Sequence, residues 1–102
     1  MPSKTYQIWL DDHSWIAVDI TMAERRVVYF CVRLMVEKDM GMFNLARYDS
    51  AHGVAHRDIL NRQGNGIEKR WFPDFPFEEV LNLALDDFKL NDSQYEKAWE
   101  KR

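Results

Sequence analysis

"VVYFCVRLMVEK", residues 27–38, is the most apolar run of the chain, and it alternates. In an extended strand Val28, Phe30, Val32, Leu34 and Val36 share one face, and Tyr29, Cys31, Arg33 and Met35 share the other. One face is wholly apolar and the second only partly polar, which predicts a strand at the centre of a sheet. The segments before it fit the same sheet. "TYQIWL" (5–10) and "WIAVDI" (15–20) place Tyr6, Ile8, Leu10 and Ile16, Val18, Ile20 at period two, with "DDHS" (11–14) as the turn of a hairpin. "TMAERR" (21–26) is a polar break before the central strand.

Beyond it, "DMGM" (39–42) reads as a turn around Gly41 and "FNLARYD" (43–49) as the returning strand. Gly53 interrupts, "HRDIL" (56–60) resumes the extended pattern, and "NRQGNG" (61–66) turns into a last strand, "IEKRWF" (67–72). Pro73 and Pro76 then end the strand pattern. From Phe77 the period changes: Phe77, Val80, Leu81, Ala84, Leu85 and Phe88 form one helical stripe, and Glu78 and Glu79 complement the dipole of its first turn. "DSQYEKAWEK" (92–101) predicts a short second helix, capped by Asn91 or Asp92 and docked by Tyr95 and Trp99. Strands come first and helices last, so the expected fold is α+β. It is a largely antiparallel sheet of five or six strands, with a C-terminal helix on one face and a short terminal helix, in a single domain over residues 1–102.

Composition narrows the function classes. The 102 residues are 46% hydrophobic, 30% charged and 14% aromatic, too many rings to bury completely in so small a domain. The net charge of −3 argues against a general nucleic-acid surface. Its distribution is uneven: residues 1–73 carry ten basic and nine acidic side chains, residues 74–102 four basic and eight acidic. No apolar run approaches the length of a membrane span, and the charged start does not read as a secretory leader. Cys31, the single cysteine, reads as an inert buried thiol. Together these predict a cytoplasmic protein that does not engage membranes. No Gly-rich phosphate loop is present, and the expectation is a protein without a cofactor.

The titratable groups concentrate in "RYDSAHGVAHRD", residues 47–58. Asp49, His52, His56 and Asp58 have the spacing D-x2-H-x3-H-x-D, but Gly53 disfavours a continuous helix between the histidines, so a metal would have to be held by a strand end, a bend and a new strand, and the spacing alone does not call for one. Used without metal, His52 and His56 could share general acid and base roles, with Arg47 and Arg57 holding phosphate and Asp49 orienting a ring. Those are the parts needed to cleave RNA through the ribose 2′-hydroxyl. Tyr48, Lys69, Arg70 and Trp71 are the candidate substrate-binding residues, pairing cations for a backbone with rings for bases. The plainer alternative makes the same residues turn formers and cross-strand ion pairs. On strand parity His56 and Asp58 should face solvent or a cleft, opposite Arg57 and Ile59. His13 reads as an exposed turn residue.

The order "VVYFCVRLMVEKD", "LARYDSAHGVAHRD" and "FPFEEVLNLALDDF" resembles the small TumE-like toxin components of bacterial and archaeal toxin–antitoxin pairs and their uncharacterised relatives. The resemblance covers roughly residues 27–90 and rests on Arg47, Tyr48, Asp49, Ala51, His52 and His56, and more loosely on Glu79, Val80 and Leu81. It departs at Gly53 and Arg57, where that pattern doubles its histidines. The resemblance implies a toxin-like role neutralised by an antitoxin protein, to which the residue chemistry adds RNA as substrate and a metal-independent ribonuclease as the activity. The alternative is a non-catalytic protein-interaction module whose aromatic surface binds a protein partner or a second copy of itself as a homodimer, and whose histidine segment is structural.

Overall fold

In a computed structural model that describes residues 2–102, six strands form one antiparallel sheet in sequence order: β1 (Ser3–Trp9), β2 (Ser14–Ala23), β3 (Arg26–Lys38), β4 (Gly41–Asp49), β5 (His56–Leu60) and β6 (Gly66–Trp71). The α+β architecture is therefore as the strand and helix periods require, and β3 is an inner strand. Helix α1 (Phe77–Glu100) crosses one face of the sheet over β3 and β4. Ile16, Val18, Phe30, Val32, Leu34 and Val36 from the sheet meet Val80, Leu81, Ala84, Phe88 and Trp99 from the helix in one core.

The separate terminal helix does not form. Helix α1 runs unbroken through Asn91 and Asp92, and the only other helical turn among the described residues is a 3-10 turn at Ala51–Gly53. Asn91 does not cap. Its side-chain amide donates to Asp87 one turn back at 2.8 Å, which satisfies it inside the helix. Tyr95 and Trp99 then continue the apolar stripe onto the sheet, and that burial outweighs the capping preference of the two polar residues.

Three bulges reset the parity of the strands. Thr21 pairs with Tyr29 but Met22 pairs with Val27, so Val28 is the extra residue. It is 43% exposed, a correction to its place in the apolar face, and Val27 packs against the core instead. In the same way Leu45 is extra between Ala46, which faces Leu34, and Asn44, which faces Met35. This flips the alternation of β4: Phe43 and Tyr48 both reach the helix side, and Arg47 and Asp49 go to the other side. The third falls between Ile59 and Leu60 opposite β6.

The hairpins flanking β3 have two-residue loops, Glu24–Arg25 and Asp39–Met40, with all four residues at positive φ. The second turn is thus Asp39–Met40, and Gly41 is the first residue of β4 rather than the turn's centre. Met40 has φ 65° and a fully exposed side chain, so a Cβ is strained there with no packing in return. Met40→Gly is expected to raise stability by about 1 kcal/mol. An unchanged or lower urea midpoint would refute the strain at this turn.

Candidate functional site

The face of the sheet that carries no helix presents two polar rows. Register puts Thr5, Asp19, Cys31, Asp49, His56 and Trp71 side by side across all six strands, and Gln7, Ala17, Arg33, Arg47, Asp58 and Lys69 in the row beside them. The densest chemistry lies where β4, β5 and β6 meet. His56 Nε2 is 3.1 Å from Asp49 Oδ1 and 3.3 Å from Asp58 Oδ2. Its Nδ1 is 3.2 Å from the carbonyl oxygen of Val54. Both ring nitrogens therefore face oxygen acceptors, an arrangement that requires a proton or another cation at each.

Arg47 Nε donates to Asp58 Oδ2 at 3.1 Å and lies 3.4 Å from Asp49 Oδ2, and Lys69 Nζ is 3.3 Å from Asp58 Oδ1. Burial pushes the Asp58 carboxyl up, but hydrogen bonds from Arg47 and Lys69 and the nearby charges of His56 and Lys69 outweigh it, leaving the group below its ordinary range. Asp49 accepts the backbone N–H of Ala51 at 3.0 Å, which ties the cluster to the following turn. Trp71 closes the outside, its ring centroid 5.1 Å from that of His56, with the Lys69 ammonium 4.9 Å above the indole.

Strand parity correctly put His56 and Asp58 on one face, but both are largely withdrawn from solvent, at 2% and 3% exposed, and Asp58 borders a cleft with Gly66, Ile67, Glu68 and Lys69. Trp71, Lys69 and Arg47 supply the cover. His52 is exposed on the 3-10 turn at φ 67°, and among the described residues it makes no side-chain hydrogen bond or ion pair. The structure does not join it to His56 in a bonded pair.

The remaining candidates divide between the two faces. Arg57 lies on the helix side, where it donates to Glu68 at 2.9 Å and to the Tyr95 hydroxyl at 3.3 Å. Tyr48 is buried there, and its hydroxyl donates to Asp87 at 2.7 Å, so it offers no ring to a base. Burial and the Asp87 carboxylate raise the Tyr48 phenol far above its ordinary value and push Tyr95 up to about 12. Arg70 also points to this side, 5.1 Å above the Phe72 ring. Of the proposed reactive and substrate-binding set, Arg47, Asp49, His56, Lys69 and Trp71 come together. Asp58 completes them, placed by the register opposite Arg47 on β4 and Lys69 on β6. The Cys31 thiol lies in the same row, and burial pushes it up, away from thiolate chemistry.

A second polar cluster surrounds a cleft of about 350 Å3 between α1 and β5–β6, lined by Arg57, Glu68, Asp87, Asn91, Tyr95 and Arg102 among others. The Asp11, Asp12 and His13 group sits at the β1–β2 turn, where Asp11 caps the backbone N–H groups of His13 and Ser14. Hydrogen bonding to Asp12, with Glu96 and Asp11 adding to it, raises the His13 imidazole above its ordinary value. His13 thus reaches α1 through Glu96 as well as forming the turn. No helix among the described residues is long and apolar enough to cross a membrane.

The family model described as "Domain of unknown function (DUF7718)" matches residues 1–102. No curated protein and no solved structure matches the chain.

Proposed function

The chain belongs to the DUF7718 family, a domain of unknown function, and we propose that it is a non-catalytic interaction module that self-associates through the helix-free face of its sheet. One observation carries this reading. Trp9, Tyr29 and Trp71 stand 58%, 42% and 50% exposed on that face, while its cations Arg33, Arg47 and Lys69 are already paired within the chain. Arg33 is bound by Asp19 at 3.1 Å, Arg47 by Asp58 and Asp49, and Lys69 by Asp58. Tryptophan, tyrosine, methionine and arginine mark the energetic centres of protein interfaces, whereas a nucleic acid asks for unpaired cations. A second copy brings the same self-neutral aromatic surface, which suits an isologous contact.

A toxin-like ribonuclease gains no support from this geometry. Its proposed acid and base are one exposed turn residue and one residue enclosed by carboxylates, and its two arginines lie on opposite faces. Sedimentation velocity over a dilution series tests the interaction reading. The expected result is a dimer that dissociates on dilution and a Trp9→Ser, Trp71→Ser variant that stays monomeric. A wild type that remains monomeric at high concentration would overturn self-association. RNA cleavage by the pure protein, lost in His52→Ala, would restore the ribonuclease.

A further inference from the structure

We infer that Asp49, His56 and Asp58 form a binding site for a divalent transition-metal ion of the zinc class. The three residues come from adjacent strands, all are more than nine-tenths buried, and their donor atoms lie within 4.8 Å of one another. Zinc bonds of 2.0–2.1 Å in a tetrahedron separate neighbouring ligand atoms by about 3.3 Å. The Nε2 of His56 stands 3.1 and 3.3 Å from its two carboxylate oxygens, so two of the three ligand separations match an edge of such a tetrahedron, and the third is within 4.8 Å.

The orientation of the imidazole is an independent sign. Its Nδ1 faces the Val54 carbonyl at 3.2 Å, the outer-shell bond that metal-ligating histidines use to fix their tautomer and present Nε2 to the ion. With one hydrogen on Nδ1, Nε2 faces the two carboxylate oxygens, a position that a second ring proton or a metal ion fills. The distal oxygens are also held: Lys69 lies on Asp58 Oδ1 and Arg47 near Asp49 Oδ2. Two bonds share the oxygens that would face the ion, from Arg47 to Asp58 Oδ2 and from the Ala51 backbone N–H to Asp49 Oδ1. Arg47 is 40% exposed and Lys69 43%, so both can keep their charge in water while the carboxylates neutralise the metal. Imidazole with two carboxylates suits zinc or a neighbouring first-row ion better than calcium. Three protein ligands leave one position for water. The site lies beneath Trp71 and does not depend on self-association.

Metal uptake can be read without any activity. Chelator-treated protein is titrated with Zn2+ by calorimetry and with Co2+ by visible absorption, in the wild type and in Asp49→Asn, Asp58→Asn and His13→Ala. The asparagine variants keep side-chain shape, so they remain informative if His56→Ala fails to fold, and circular dichroism checks each. The expected result is one ion per chain, the absorption of tetrahedral cobalt, and a zinc-dependent rise in Tm. Both asparagine variants should weaken binding by about tenfold or more, with His13→Ala unchanged. The proposal is overturned if folded wild type takes up no ion, or if uptake survives both asparagine substitutions. Loss of uptake in His13→Ala alone would place the ion at the β1–β2 turn and would also overturn it.

Discussion

Trp99→Ala is expected to remove about 3–5 kcal/mol of folding stability, the range for deleting a large buried aromatic. Trp99 is fully buried near the end of α1, its ring 5.0 Å from that of Phe43 on β4 and capped by the Arg62 guanidinium at 4.4 Å. Few atoms can collapse into the space it leaves, because Arg62 belongs to the β5–β6 turn and Phe43 to a paired strand. A domain of this size has roughly 5–15 kcal/mol in total, so the variant should be close to unfolding at ambient temperature. The indole N–H has no hydrogen-bond partner, so Trp99→Phe removes an unsatisfied donor and should lose much less. Urea denaturation of the two variants checks this. A loss below about 1 kcal/mol in Trp99→Ala would mean that the last turns of α1 do not seal the sheet.

His56→Ala should be nearly as damaging, at about 3 kcal/mol. The value lies at the low end of the range for removing one partner of a buried ion pair, because Arg47 and Lys69 still attend the two carboxylates. His56 is a tie across β4, β5 and β6, and its removal leaves both a cavity and two under-solvated aspartates. Asp58 gives the same cluster a pH signature. Its carboxyl is depressed in the folded protein, so the folded state binds that proton less well than the unfolded chain. Its contribution to stability is complete well above the ordinary value of 3.8, and is lost as the pH falls through 3.8 towards the folded value. Asp58→Asn should therefore be less stable than wild type at neutral pH, and the difference should narrow in acid. Melting temperatures across that range measure it. A gap between the two proteins that stays constant with pH would show that Asp58 is not held ionised by its neighbours.

The strand periods of residues 27–38 and the helical stripe from Phe77 to Phe88 made the two-layer architecture legible, because each reflects burial on one face. The bulges were less legible. Nothing in "FNLARYD" announces that Leu45 will be skipped in the pairing, yet that extra residue sends Arg47 and Asp49 to the same face as His56 and Asp58. The helix boundary at Asn91 misled because capping preference is local, whereas the burial of Tyr95 and Trp99 depends on the sheet beneath them. At the site, parity in "HRD" placed His56 and Asp58 together and Arg57 opposite. Their burial could not be read from β5 alone, since the cover comes from Lys69 and Trp71 on a strand paired later in the chain.

The unbroken order of the strands bears on how the chain reaches this structure. Every ladder joins consecutive strands, and the turns on either side of β3 contain two residues each. The entropy of closing each loop is therefore spent in small steps, and no pair of distant strands has to meet before its neighbours have formed. The thirteen residues of β3 offer a nucleus from which pairing can spread in both directions, towards β1 and towards β6. Docking of α1 on β3 and β4 is the main closure between well-separated parts of the sequence among the described residues. Such a meander can assemble by zippering, with the helix as its final lock.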